Sequence, residues 1–400
     1  MPTTVQASPY GTSVRDFRDQ PRVPVFRLDP LLLLATLALI ACSLYTIATA
    51  TTGDIDGSPY YFLTRQSAYF GVGLVLMLIV SRVDYSRFRE WKAGIYVAMI
   101  ASILLVMLAG VSARGSTRSI ELGFFSFQAS EIGKLLLILA LSGFLVDRVR
   151  RLGDRDTTSR AVLMAVFPAM LVIAQPDLGS GLVYLAVVTA CLFVAGTKWT
   201  HFAALAALAG VAIVLVLVAA PAAGVEVLKP YQMDRLTAFL DPTENPREQG
   251  YQVNQSLTAI GSGGKTGRGD LATQTKLDFL PEHHTDFVFS VVGEEFGFVG
   301  TAIVLSLFAL LIWRALRILT MAKNLYGTLL AGGITAMLMF QLFVNVGMTI
   351  GIMPITGITL PLVSYGGSSV IVTLLALGLL QSIHAQARDA AFAKGRDLAL

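Results

Sequence analysis

Charge is scarce in this 400-residue chain: Asp, Glu, Lys and Arg together make up 14% of it, where soluble domains carry about a quarter. A chain of this size with so little charge and 54% hydrophobic residues is not a soluble globular protein. Cysteine is also rare. Cys42 and Cys191 both lie inside apolar runs, which excludes a disulfide scaffold or a thiolate metal centre and predicts buried thiols. Residues 324–387 contain no Asp, Glu, Lys or Arg at all. The first 29 residues have neither an apolar core nor a small-residue cleavage site, so they do not read as a signal peptide.

What is abundant is long apolar sequence. Crossing a bilayer as a helix takes about 20 such residues. Candidate spans fall near 30–50, 62–81, 92–111, 128–146, 161–175, 179–196, 201–222, 286–313, 325–349 and 364–386. The expected fold is an all-α polytopic membrane protein of about ten transmembrane helices, with one membrane domain over 30–386 between short tails, 1–29 and 387–400.

With the N-terminus inside, twenty basic residues fall on the inner side and nine on the outer. The positive-inside rule therefore puts both termini in the cytoplasm. It also accounts for the net charge of +4 as membrane topology, with no nucleic-acid partner. The long connection between spans seven and eight, 223–285, is then extracytoplasmic. Within it, "YQVNQSLTAI" (251–260) is expected to form a short interfacial helix with Val253, Leu257 and Ile260 on one side.

"GSGGKTGRG" (261–269) superficially resembles a phosphate-binding loop. That pattern needs glycine at position 259, which is Ala259, and a preceding strand. The stretch reads as a flexible hinge or, less simply, as a nest of backbone amides.

The segment "LDFLPEHHTDFVFSVVGEEFGFVG" (277–300) enters the membrane with five acids, Asp278, Glu282, Asp286, Glu294 and Glu295, and with His283 and His284. A charge at mid-bilayer costs roughly 2.5–3.5 kcal/mol even on insertion scales, so such groups are paired or functional. Adjacent histidines point apart on a helix or strand and make a poor metal pair. Glu294 and Glu295 read either as structural carboxylates or as site residues.

Glu131 and Lys134 stand at i, i+3 on one helical face, Arg114 and Arg118 precede them, and Asp177 sits at the outer turn between spans five and six. These groups converge on the outer leaflet, with no comparable set expected at the inner one. A polar cavity reached from outside follows. The charge-free 324–387 region is expected to form a wall, packed in protein or facing lipid.

Five motifs in order, "QASEIGK" (128–134), "QPDLGS" (175–180), "YQVNQSLTAIGSGG" (251–264), "LPEHHTDFVFSVVGEE" (280–295) and "GIMPITGITLPLVSYGGSS" (351–369), resemble the SEDS family of shape, elongation, division and sporulation proteins, of the RodA and FtsW type. The resemblance spans all ten helices. "SLYTIATA" (43–50) and "RVDYSRFR" (82–89) lean towards RodA, hence towards elongation and cell shape. Two positions depart from the family pattern: Ala129 stands where proline is usual, and Ser119 where tryptophan is usual.

The resemblance implies a peptidoglycan glycosyltransferase of the bacterial cytoplasmic membrane, with an extracytoplasmic catalytic face. It would polymerise lipid II alongside a class B penicillin-binding protein that crosslinks the strands. Asp286 falls on the family's essential acid and would be the general base. The motifs also carry over substrate-binding roles for Gln128, Ser130, Glu131, Lys134, Asp177, Gln252, Gln255, His284, Thr285 and Ser364.

By charge and by side of the membrane, Arg114, Arg118 and Lys134 are the expected diphosphate partners. A divalent cation is a further candidate for that task. Spans nine and ten, or the grooves beside them, are expected to take the polyprenyl tail. The rivals are a lipid II flippase or ion-coupled transporter, and a scaffold for a partner synthase.

Overall fold

Every expected span becomes a helix, because an apolar backbone in lipid must satisfy its own hydrogen bonds. The computed structural model describes residues 28–51, 60–113, 116–222, 249–277 and 279–393, together with 232, 233, 235 and 239. The spans are α1 (Pro30–Ala50), α2 (Tyr61–Ser81), α3 (Lys92–Ala109), α4 (Ala129–Asp147), α5 (Arg155–Ala174), α6 (Leu178–Val194) and α7 (Trp199–Val214, continuing to Ala222). In the 223–285 connection lie α8 (Gln249–Gly263) and the single turn α9 (Thr273–Lys276); the last spans are α10 (Val288–Met321), α11 (Leu325–Thr349) and α12 (Gly367–Phe392). Among the described residues nine of these helices are long and apolar enough to cross a membrane, and Leu178–Val194 is a shorter apolar one.

The fold is not purely helical. Between α3 and α4 the chain forms an antiparallel meander, β1 (Val111–Ala113), β2 (Ser116–Leu122) and β3 (Phe125–Phe127), with Ile120 opposite Phe127 and Leu122 opposite Phe125. Gly123 turns the β2–β3 hairpin at φ +63°, a conformation that costs glycine little. The length of this sheet hid it, since its strands are too short to show a clear period-two pattern.

α12, α4 and α11 form the centre of the bundle, with 89%, 78% and 72% of their spans buried, whereas no part of the α7 span is buried. The charge-free region is therefore packed in protein: α11 and α12 meet α2, α4, α6 and α10, which leaves the grooves beside them as the place expected for a polyprenyl tail.

α8 does more than lie at the interface. It packs on α10 through Ser256, Ile260 and Gly263, Val253 joins a small cluster with Leu280, Phe287, Met348 and Ile355, and Leu257 is exposed. Ser256 Oγ lies 2.6 Å from Ser290 Oγ and donates to the Thr349 carbonyl at 2.7 Å. The two backbones approach so closely that a Cβ on Gly263 would sit 1.9 Å from the Gly293 carbonyl oxygen.

The glycine-rich 261–269 stretch is neither hinge nor nest. α10 is broken at Gly297 (φ 63°, ψ −157°), which frees amides from the helical ladder. Phe298 N donates to the Gly264 carbonyl at 2.9 Å and Val299 N to the Lys265 carbonyl at 3.1 Å. This glycine-rich loop is a backbone clamp for the kink in α10.

At the opposite, inner end the structure overturns the expectation of no comparable charge. Asp29, counted with the tail, accepts from Leu32 N at 2.9 Å as the N-cap of α1 and from Arg314 Nε at 2.9 Å. His384 Nδ1 lies 3.6 Å from the same carboxylate, and Gln381 bonds the Asp29 backbone on both sides. All four side chains are buried. Their sequence separation hid them: α1, α10 and α12 meet only in the folded bundle.

Candidate active site

The starts of α2, α4, α6 and α12, the β2–β3 hairpin, α8 and the turn before α10 surround a cavity of about 840 Å³ at one end of the bundle. Its polar wall includes Asp286, Glu282, Thr285, Gln128, Glu131 and Gln252, all from segments singled out in the sequence. Asp286 sits in the turn that leads into α10. The turn is closed by Thr285 N and Phe287 N, which donate to the Glu282 carbonyl at 3.1 and 3.3 Å, and it forces Glu282 to φ +55°. A non-glycine residue in that region carries local strain.

The far wall is the 350–366 connection. Gly357, at φ +74°, comes so near Asp286 that a Cβ there would lie 3.4 Å from its Oδ2. Tyr365 N donates to the His284 carbonyl at 2.9 Å, tying the same connection to the Asp286 turn. Burial pushes the Tyr365 hydroxyl up to about 12, so it stays a neutral group on the wall.

Six of the expected substrate-binding residues stand behind the cavity rather than on its wall. Lys134 is buried with Nζ 2.6 Å from Glu131 Oε1, so its charge is shared with that carboxylate and it does not line the cavity. Asp177 caps α6 by accepting from Ser180 N at 3.0 Å, and accepts from Ser130 Oγ at 2.8 Å and Gln128 Nε2 at 3.3 Å. This network joins the starts of α4 and α6, so Asp177 and Ser130 hold the wall in place. Ser364 is buried, with Oγ accepting from Leu360 N at 2.8 Å. The His284 ring packs 4.7 Å from Phe62, and Gln255 lies on α8 outside the cavity wall. Arg118 falls on β2, and Arg114 and Asp278 lie outside the described residues.

Two cations that the sequence reading passed over line the cavity. Arg65, on the first turns of α2, donates through Nη2 to the Gly123 carbonyl at 3.2 Å and stands 4.6 Å over the Tyr61 ring. Arg235 donates to the Thr356 carbonyl at 3.3 Å. Position was the available signal for Arg65: it is a lone cation at the outer end of a span.

Glu294 and Glu295 take the structural reading. Glu294 accepts from Thr273 N, Gln274 N and Thr275 N at 2.7–2.9 Å and from Thr275 Oγ1 at 2.7 Å, capping α9. Glu295 accepts from Thr49 Oγ1 and joins α10 to the end of α1. Glu294→Gln should cost about 1–3 kcal/mol of stability through broken cap bonds, visible as a lower unfolding midpoint in detergent, with turnover per folded molecule retained.

No group of three or more His, Cys, Asp or Glu that could hold a metal ion occurs among the described residues. A divalent cation at this cavity would need oxygens from its ligand as well. His283 Nδ1 lies 3.2 Å from the Leu280 carbonyl oxygen, and its ring meets that of His284 at 79°, so the pair does not converge on one point.

Among the described residues, nine apolar helices of membrane-spanning length and one shorter one, with an acid-lined cavity at one end, define a polytopic membrane protein. The family model for FtsW, RodA and SpoVE, described as a cell cycle protein, matches residues 27–389. The chain belongs to this family. It is 40% identical over 368 residues to the probable peptidoglycan glycosyltransferase FtsW of Thioalkalivibrio sulfidiphilus, covering 90% of each chain. It is 38% identical over 358 residues to the peptidoglycan glycosyltransferase MrdB of Escherichia coli K12, covering 89% of this chain and 93% of that one. Among solved structures, a chain from work on polymerization and crosslinking by a peptidoglycan synthase complex superposes with a TM-score of 0.75 at 34% identity, covering 90% of this chain and 98% of that one.

Proposed function

We propose that this protein is a peptidoglycan glycosyltransferase that polymerises lipid II at the outer face of the bacterial cytoplasmic membrane. The observation that carries this reading is Asp286 on the wall of a large polar cavity, at the end of the bundle that the basic-residue asymmetry assigns to the outside. The relatives named as peptidoglycan glycosyltransferases support it along nearly the whole chain. Division-type and elongation-type relatives stand at 40% and 38% identity, so the proposal concerns the polymerisation they share.

In the reaction, the acceptor sugar's 4-hydroxyl attacks the donor's anomeric carbon as undecaprenyl diphosphate departs. The forming C–O bond takes its electron pair from the hydroxyl oxygen, and the breaking bond leaves its pair on the diphosphate. A sugar hydroxyl is a weak nucleophile, and Asp286 accepts its proton. The leaving group is already a weak base and needs positive charge instead of a proton. Arg65 and Arg235 on the cavity wall supply it, with Arg118 of β2 and Arg114 as further candidates. Attack opposite the leaving group turns an α-linked donor into a β-linked product.

Gln128, Glu131, Gln252 and Thr285 are the polar groups available to the sugars and stem peptide. The partner would be a class B penicillin-binding protein, which crosslinks the new strands.

Transport gains one observation, the buried Asp29–Arg314–His384 cluster at the inner end. That cluster is internally paired, and the core between it and the cavity is the charge-free α11 and α12, which disfavours a polar path. The deciding experiment is strand synthesis from labelled lipid II by purified protein with its class B partner. Glycan polymer is the expected product. Lipid II crossing proteoliposome membranes without polymer would favour transport.

A further inference from the structure

Asp286 is held by its backbone as well as aimed by its turn. Asn345, on α11 and fully buried, donates through Nδ2 to the Asp286 carbonyl at 2.8 Å and to the Ile358 carbonyl at 2.7 Å. The first acceptor belongs to the turn that carries the candidate base. The second belongs to the connection that forms the opposite wall, one residue after Gly357, whose Cβ position lies 3.4 Å from Asp286 Oδ2. A single nitrogen thus fixes both walls of the cavity where they come closest.

We infer that Asn345 is the positioning residue for Asp286, setting the distance between the acid and the facing wall; this rests on the proposed polymerase reading. The residue type follows from the acceptors. Two carbonyl oxygens that meet at one buried point need two N–H donors from one atom on a short stem, and asparagine supplies them. Aspartate would oppose two carbonyls with a carboxylate, serine brings one donor, and leucine none. Among the described residues no donor reaches Asn345 Oδ1, so its amide is engaged through its hydrogens alone.

A buried polar side chain with an unmet acceptor is a poor choice for stability, whereas it makes sense where a precise separation is needed. α11 is also a suitable anchor, being a central helix with most of its span buried. Asn345 does not line the cavity, and its hydrogen bond to Asp286 goes to the backbone carbonyl. Its contribution should therefore appear in turnover and not in substrate affinity.

The test compares wild type, Asn345→Leu and Asn345→Ser, each purified with its class B partner, for polymerisation of labelled lipid II. Folded complex is counted by size-exclusion elution, and lipid II binding is measured in parallel. Misplacing a catalytic group by about 1 Å costs on the order of 100-fold. The leucine variant is expected to lose roughly 10- to 100-fold in kcat per folded complex, the serine variant less, with lipid II binding and KM close to wild type. Wild-type kcat in either folded variant would overturn the assignment. So would a loss confined to KM, or failure of both variants to fold, which would make Asn345 a residue of stability alone. Absence of polymer from wild type would instead remove the polymerase reading itself. Polymer from wild type but not from Asp286→Asn leaves that reading standing whatever Asn345 does.

Discussion

Asp286→Asn is expected to abolish strand synthesis while lipid II binding persists. The substitution keeps the size of the side chain and its hydrogen-bonding reach but removes the group that accepts the acceptor hydroxyl's proton. General-base removal typically costs about 10²–10⁴-fold, below the detection limit of most gel-based polymer assays. Binding should survive because Asp286 is one of many groups on a cavity of about 840 Å³, and the proposed diphosphate partners, Arg65 and Arg235, are untouched. The control is Glu294→Gln, since Glu294 is spent on capping α9 and does not line the cavity. Equal polymer from wild type and Asp286→Asn would remove Asp286 as the base and direct attention to Glu131 and Glu282 on the same wall.

The second large effect concerns the inner end of the bundle. Arg314→Leu leaves the Asp29 carboxylate buried without its cation, and breaking a buried ion pair from one side costs about 3–5 kcal/mol. Asp29→Asn/Arg314→Leu should recover most of this. The asparagine keeps the N-cap of α1, for which it is as good as aspartate, and no uncompensated charge remains. Denaturant or thermal unfolding of the four proteins in detergent completes the double-mutant cycle, with a coupling well above the few tenths of a kcal/mol expected of independent sites. Additive effects, or a leucine variant as stable as wild type, would mean that the cluster does not hold α1, α10 and α12 together.

The two predictions concern opposite ends of the molecule, and they differ in how visible their residues were in the sequence. Asp286 stood out because it belongs to a crowd of five acids and two histidines at the entry of one apolar span, within a recognisable motif. Asp29 and Arg314 met the same criterion only weakly. Each lies at the edge of a span, where a charge is cheap, and nothing local marks them as partners 285 residues apart.

The same contrast runs through the candidate site. Gln128, Glu131, Gln252, Thr285 and Asp286 come from recognisable motifs and do line the cavity. Lys134, Ser130, Asp177 and Ser364 come from equally clear motifs and turn out to support the wall from behind. A motif records that a residue matters locally, whereas its exposure to the cavity depends on which way a helix is rotated against its neighbours.

The sequence by itself determined the membrane class, the order of the apolar helices and the motifs whose acids gather at one end of the bundle. Each of these follows from the cost of placing charge or unpaired backbone in hydrocarbon, and that cost is paid residue by residue along the chain. Only the tertiary structure decided which groups share the cavity, that Arg65 and Arg235 stand on its wall, that the glycine-rich loop clamps the break at Gly297, and that Asn345 joins the Asp286 turn to the facing connection. These features depend on rotations and close approaches between segments far apart in sequence, where contact geometry sets the energy and composition along the chain carries no record of it.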